Sequence, residues 1–257
     1  MTVIDNMETS DESIAAGNGL LGQRMLRKED PALLTGEAVF TNDMKVPGAL
    51  HLAVLRSPYA HAKISSVNVS GALEMEGVMH AFSGADLADQ WAAPMPCAWP
   101  VTEDMKNPPH YPLAVDKAAY VGDGVACVLA TSEAVARDAL EAIDVEYEPL
   151  PAVIDLEDSL ADAVVIHNEL GTNSSYTWPL VIEENEGDCQ SAIDNSAYVV
   201  KERYVQQRLI PMAMEPRAVV AMPQPFGGDI TLFTATQVPH VLKVMSALTL
   251  GIPEQQL

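Results

Sequence analysis

Apolar and polar residues follow strand-like spacing through the first part of the chain. We predict strands over residues 49–56, 62–69, 78–82, 124–130 and 144–148. The fourth is a nearly continuous apolar run, the pattern of a strand that is buried on both faces. The second and the fifth alternate, as half-buried strands do.

Helical patterns lie between these strands. A short helix is predicted over residues 70–76, ended by Gly77. A second helix starts after Ser132, which can cap it, with Glu133 favourably placed in its first turn. Its apolar positions recur at helical spacing: Val135, Ala139, Leu140 and Ile143. Two strand–helix–strand passes indicate an α+β fold, with a mixed sheet and helices packed on it.

A stretch rich in proline separates the two passes, between Pro94 and Pro112. Each proline removes a backbone donor and restricts the residue before it, so we predict a long loop without regular structure. Contact with a partner or a cofactor is the alternative use of such a loop. Residues 133–188 are strongly acidic, with Arg137 as their one base, which indicates a solvated face or a docking site for a basic partner.

The last part of the chain contains a second set of elements. Strands are predicted over residues 198–206, 218–223 and 230–236, with a hairpin turn between the last two. A helix follows, with Pro239 in its first turn and Gly251 as its stop. Its apolar stripe comprises Val241, Leu242, Met245 and Leu248.

Charge and cysteine content exclude several classes of protein. The 257 residues include 36 acids and 14 bases, a net charge of −22 that repels nucleic acids and anionic membranes. The sequence contains no apolar run of bilayer-spanning length. Its three cysteines, without a CxxC pair, indicate a reducing compartment, so a cytoplasmic location is expected.

One residue stands out as a candidate ligand. Gln237 lies where a strand ends and a helix begins, so its amide could donate to an anionic group beside the free N–H groups of the helix. A hydrogen bond to nearby backbone is the alternative. His61, in a turn, is interpreted as a structural residue. The turn at Gly227 and Gly228 lacks the spacing of a phosphate loop.

An ordered set of motifs resembles a known family. They are Arg27-Lys28-Glu29-Asp30-Pro31, Leu33-Leu34-Thr35-Gly36, Val46-Pro47-Gly48-Ala49-Leu50, Arg56-Ser57-Pro58-Tyr59-Ala60-His61-Ala62, Gly77-Val78, Tyr120-Val121-Gly122, residues 145–153, Met214-Glu215-Pro216-Arg217 and Thr236-Gln237-Val238-Pro239-His240. Together they look like the large subunit of molybdenum hydroxylases, the family of xanthine dehydrogenase, aldehyde oxidase and aerobic carbon monoxide dehydrogenase. Gly124 departs from the proline that is common in the family at this position, which could loosen the start of its strand.

The composition of the N-terminal residues and the resemblance together predict a domain plan. A disordered acidic tail is expected over residues 1–18, an α/β hammerhead domain over 19–165 and a linker over 166–180. An incomplete start of the molybdopterin-binding domain follows over 181–257. The glycine-rich loop, the substrate-pocket loop and the general-base glutamate of the family are not among these residues.

The resemblance also implies the chemistry. Gln237 would lie beside the metal of a molybdenum–molybdopterin cofactor, in its dinucleotide form, and hydrogen-bond an oxo ligand; no residue is predicted to ligate the metal. Iron–sulfur clusters and FAD would be carried by a small and a medium partner subunit. The complete assembly would hydroxylate an aldehyde, an N-heterocycle or a purine, or oxidise carbon monoxide. The isolated chain is expected to be inactive and free of molybdenum. A non-catalytic scaffold with the hammerhead fold is the alternative, and an independent small enzyme is the weakest one.

Overall fold

A computed structural model of the protein describes residues 24–97, 101–178 and 187–257. The predicted disordered tail over residues 1–18 lies outside the described residues. The chain divides into two compact units after Met44, and each is described by itself. Within the described residues, no helix is both long enough and apolar enough to cross a membrane.

The described part of the first unit, from residue 24 onward, contains one short helix, α1 (Asp30–Thr35). Pro31 occupies its first turn, where the missing N–H costs no helix hydrogen bond. Gly36 ends it in the left-handed conformation, with φ of 75°. A single 3-10 turn follows at Thr41–Asp43.

The second unit contains the remaining helices and the strands. In chain order they are β1 (His51–Arg56), β2 (Ala62–Asn68), α2 (Ser70–Leu73), β3 (Val78–Ser83), α3 (Gly84–Leu87), β4 (Lys117–Ala118), β5 (Gly124–Ala130), α4 (Glu133–Leu140), β6 (Asp144–Pro149), α5 (Leu156–Leu160), α6 (Asp188–Asp194), β7 (Val219–Pro223), β8 (Ile230–Thr234) and α7 (Pro239–Leu250). The predicted α+β class is confirmed. The helix over residues 70–76 is shorter than predicted, because the chain after Leu73 turns through bonds such as Met75 N–H to the Ala72 carbonyl.

The strands of the predicted passes are divided between two sheets. One has the order β1-β5-β3 and the other the order β4-β2-β6, and neighbouring strands in both are antiparallel. At the centre of the first sheet, Val128 of β5 pairs with Ala53 on one side and with Ala81 on the other. Six of the seven β5 residues are buried, so the side chains on both of its faces are covered, which explains why the 124–130 run is apolar on both faces.

The core lies where α4 packs against the first sheet. Ala136 and Ala139 of α4 are fully buried in the same cluster as Ala126, Val128 and Ala130 of β5. Alanine on both surfaces allows the helix to approach the sheet closely, which leaves few voids. The predicted cap is confirmed, since the Ser132 hydroxyl accepts the Val135 N–H at 3.3 Å.

Loss of this cap is expected to destabilise the second unit. In Ser132→Ala the Val135 N–H loses its acceptor, which should lower the free energy of unfolding by about 1 kcal/mol. Ser132→Asp is the matched control, because aspartate keeps an acceptor at the same position. Urea unfolding followed by circular dichroism would measure both. Equal midpoints for Ser132→Ala and the wild type would show that the cap contributes nothing.

The prediction of a strand over residues 198–206 is wrong. This stretch has no strand, and Tyr198 and Tyr204 are 92% and 88% exposed. A strand needs a hydrogen-bonded neighbour, and none of the described segments pairs with it. The local pattern therefore indicated a strand for which the described part of the chain provides no partner.

A network of hydrogen bonds joins the residues just after α5 to the predicted linker. Asp162, with φ of 54°, accepts the Asn173 N–H at 2.6 Å and the Thr172 hydroxyl at 2.7 Å. The Asn173 side chain in turn donates to the Val164 carbonyl at 2.7 Å and accepts the Ile166 N–H at 3.0 Å. The bonds from Asn173 and Thr172 lower the pKa of the Asp162 carboxyl.

This lowered pKa predicts a dependence of stability on pH. The Asp162 network stabilises the fold above the carboxyl's unfolded pKa, near 4, and the stabilisation is lost as pH falls through the lowered folded value. Asp162→Asn should therefore lose less stability than the wild type between pH 5 and pH 2. Urea midpoints across that range would measure it, with Asp104→Asn, an exposed position, as the control. Parallel curves for Asp162→Asn and the wild type would contradict the prediction.

Candidate functional site

A β-hairpin leads into the candidate site. β7 and β8 pair antiparallel from Val219 opposite Thr234 to Pro223 opposite Ile230, as predicted. Their connection is a turn in which Gly227 and Gly228 have φ of 89° and 74°. It is therefore a hairpin turn and not a phosphate-binding loop, as predicted. The hairpin sets the point at which the chain leaves the sheet.

Gln237 lies between the end of β8 and the first turn of α7, and it is exposed. The preceding Thr236 hydroxyl accepts the Val238 N–H at 3.2 Å. The first backbone bond of the helix runs from the Leu242 N–H to the Val238 carbonyl, at 2.9 Å. The Gln237 side chain therefore stands at the start of a helix with its surface open to solvent.

Hydrogen-bond donors concentrate at this end of α7. Pro239 contributes none, but the N–H groups of His240 and Val241 precede the first helical bond and have no acceptor within the helix. No side chain caps the helix at Val238. The positive end of the helix dipole and the Gln237 amide together favour an anionic group. This donor set fits the oxo and phosphate oxygens of a molybdopterin cofactor.

The two buried residues of α7 lie near its C-terminal end. Ala247 and Thr249 are 4% and 7% exposed, whereas Val241 and Leu248 of the predicted apolar stripe are 43% and 57% exposed. The predicted helix is confirmed, including its stop at Gly251, which has φ of 68°. The predicted stripe is only partly buried: Leu242 and Met245 are half-buried, whereas Val241 and Leu248 are exposed.

His61 has the structural role predicted for it. The residue is 6% exposed and its Nδ1 lies 2.6 Å from the Pro151 carbonyl oxygen, so Nδ1 is the donor. Within the described residues, no group of three or more histidine, cysteine or carboxylate side chains could hold a metal ion. Gln237 is thus not joined by a set of metal ligands in this part of the chain.

Sequence reasoning missed a polar cluster at the start of β5. The Asp123 side chain is buried, accepts the Ala119 N–H at 3.1 Å and lies 3.7 Å from His110 Nε2. The Tyr120 hydroxyl is 3.3 Å from the same nitrogen. Burial and the Asp123 charge raise the pKa of Tyr120. Gly122, with φ of 94°, precedes this aspartate, but the burial of Asp123 cannot be seen in a local pattern.

Two domain families match the chain in sequence order. Residues 35–151 match the family described as aldehyde oxidase and xanthine dehydrogenase, a/b hammerhead domain. Residues 166–257 match the molybdopterin cofactor-binding domain. This order of domains defines a class, the molybdopterin-binding large subunits of molybdenum hydroxylases.

Individual relatives agree with this class. The chain is 34% identical over 241 residues to the gamma subunit of the 6-hydroxypseudooxynicotine dehydrogenase complex of Paenarthrobacter nicotinovorans, covering 91% of this chain and 29% of the relative. It is 30% identical over 246 residues to the carbon monoxide dehydrogenase large chain of Hydrogenophaga pseudoflava, with the same coverage. Among solved structures, quinoline 2-oxidoreductase of Pseudomonas putida 86 matches with a TM-score of 0.82 at 34% identity, covering 91% of this chain and 29% of that one.

The chain therefore belongs to the molybdenum hydroxylase family of aldehyde oxidase and xanthine dehydrogenase, and corresponds to the N-terminal part of its large subunit. The resemblance predicted from the sequence motifs is confirmed. The chain spans about 29% of the length of the curated relatives that it matches.

Proposed function

We propose that the protein supplies the N-terminal part of a catalytic large subunit in a molybdenum-dependent oxidoreductase complex. The observation that carries this proposal is the pair of domain families matched in order over residues 35–151 and 166–257. When bound, the cofactor supplies two-electron oxidation chemistry to the complex. The contribution of this chain is to bind and orient that cofactor.

Gln237 is the residue that we assign to this role. Its amide N–H is a neutral donor, so it can hold an anionic oxygen without a counter-charge that would have to be desolvated. A fixed amide dipole aimed at a developing negative charge stabilises that charge without reorganisation. Exposure of Gln237 at the start of α7 leaves this donor available to the cofactor.

The wider assembly follows from the same proposal. The cofactor is the dinucleotide form, and iron–sulfur clusters and FAD are carried by a small and a medium partner subunit. Relatives named as one subunit of a complex and as a large chain support such an arrangement. We place the assembly in the cytoplasm, in keeping with three free cysteines. The domain limits at residues 18, 165 and 180 are part of this proposal.

N-heterocycles are the substrates to test first. Two relatives named for nicotine compounds and one solved structure named for quinoline each share 34% identity with this chain. Relatives named for carbon monoxide and for xanthine share 28–30%. Quinoline and nicotine therefore come before xanthine, an aldehyde and carbon monoxide in a substrate panel.

Metal analysis of the native complex tests the proposal. The complex would be purified through this chain, its molybdenum and iron measured, and the intact mass of the chain recorded against 27.6 kDa. Stoichiometric molybdenum with iron supports the proposal, and the mass shows whether further polypeptide is fused or separate. A complex that contains neither metal would favour the non-catalytic scaffold.

A further inference from the structure

The residues just before the loop that is rich in proline contact the helix that follows Gln237. The Ala92 N–H donates to the Thr249 carbonyl of α7 at 2.9 Å. That carbonyl is one of the last four in the helix, for which the helix itself provides no N–H donor. The carbonyls of Ala247 and Leu248 are already used by the Gly251 N–H. Ala92 thus satisfies a carbonyl that the end of the helix leaves unpaired.

The contact is also close in space. A methyl group added at Gly251 would lie 2.7 Å from the Ala92 Cβ, nearer than such carbons approach. The buried residues of α7, Ala247 and Thr249, lie at this same end. Ala92 therefore contacts α7 at the end where its two buried residues lie.

An aromatic stack stiffens the loop beside this contact. The rings of Trp91 and Tyr111 lie 5.5 Å apart with an angle of 19° between their planes. Trp91 precedes the loop and Tyr111 lies near its end. A bridge also joins these two segments, since the Met95 N–H donates to the His110 carbonyl at 2.7 Å. His110 in turn lies 3.7 Å from the buried Asp123 at the start of β5. A continuous path of contacts therefore connects β5 to the C-terminal turn of α7.

We propose that Trp91 and Tyr111 are positioning residues for Gln237. Their stack holds Ala92 against the C-terminal turn of α7, and this rigid helix, about 18 Å long, carries the placement to Gln237 at its other end. The amide of Gln237 is thereby aimed by residues that are distant from it in the sequence. This inference rests on the proposed function for the role of Gln237, but the placement of α7 can be measured independently.

Hydrogen exchange on the native complex tests the placement. In Trp91→Ala the amides of residues 242–246 should exchange about fivefold faster, the loss expected for one aromatic pair. Trp91→Phe keeps a ring in the stack and should restore protection. Tyr111→Ala and Tyr111→Phe repeat the comparison from the other ring of the stack, in case Trp91→Ala does not fold. Unchanged exchange in both alanine variants, with the complex intact, would overturn the proposal.

Spectroscopy on the same samples tests the link to Gln237. The complexes would be reduced with dithionite, and the electron paramagnetic resonance signal of molybdenum recorded without any substrate. Trp91→Ala should retain its molybdenum and shift the signal in the direction of Gln237→Ala, and the double variant should give the Gln237→Ala spectrum. Independent, additive shifts would overturn the proposal. A wild-type complex without molybdenum would overturn the proposed function and the role of Gln237 together, a result that the metal analysis distinguishes from a failed placement.

Discussion

Gln237→Ala in the native complex is expected to lower turnover on the order of 10²-fold while molybdenum content stays the same. The variant removes one preorganised donor from a charged site, and losses of this size are typical of such donors. A hundredfold loss corresponds to about 2.7 kcal/mol of transition-state stabilisation. The assay would follow dye reduction with the first compound of the substrate panel that the wild-type complex oxidises.

Two controls separate this role from a structural one. Gln224→Ala changes an exposed glutamine at the turn end of the β7–β8 hairpin, whose amide donates to the Thr231 hydroxyl at 2.8 Å. It should leave turnover unchanged. Gln237→Glu keeps the size of the side chain but replaces a donor with a negative charge, so it should lose at least as much activity as Gln237→Ala. Wild-type turnover in Gln237→Ala would contradict the role assigned to Gln237 and favour the non-catalytic scaffold.

Val128→Asp is expected to abolish the native fold of the β1-β5-β3 sheet. Val128 is fully buried in the central strand, between Ala53 of β1 and Ala81 of β3. An aspartate there buries either a charge or an unpartnered carboxyl group, at a cost of several kcal/mol. Since a domain is stable by only about 5–15 kcal/mol, most of that margin is lost.

The comparison needs two further variants. Val128→Ala removes methyl groups without adding polarity, so it should cost about 2 kcal/mol and leave a cooperative transition. Val121→Asp places the same charge at a residue that is 65% exposed and should change stability by less than about 0.5 kcal/mol. Urea unfolding of the full chain would rank the three. A Val128→Asp midpoint equal to that of the wild type would mean that β5 is not at the centre of the core.

Several elements were predictable because their causes are local. β5 was evident as an apolar run of strand length, and α4 as a helical apolar pattern after a serine cap. The same holds for the β7–β8 hairpin, whose glycine turn requires positive φ. In each case the side chains that decide the structure lie within a few residues of one another.

Other features depend on partners that are distant in the sequence. Residues 198–206 have the pattern of a strand, but none of the described segments pairs with them, so no strand forms there. The apolar stripe of α7 predicted a buried face, whereas Val241 and Leu248 of that stripe are 43% and 57% exposed. A local pattern shows that a face is apolar but not what covers it.

The sequence by itself determined the α+β class, the family and the place of Gln237 at the start of a helix, since each depends on the identity and order of neighbouring residues. Only the tertiary structure decided the division into two antiparallel sheets, the burial of Asp123 beside His110, and the contact between Ala92 and α7. The physical reason is that burial and strand pairing are properties of pairs of segments. They arise when folding brings together residues such as Ala92 and Thr249, whose own neighbours along the chain carry no sign of the contact.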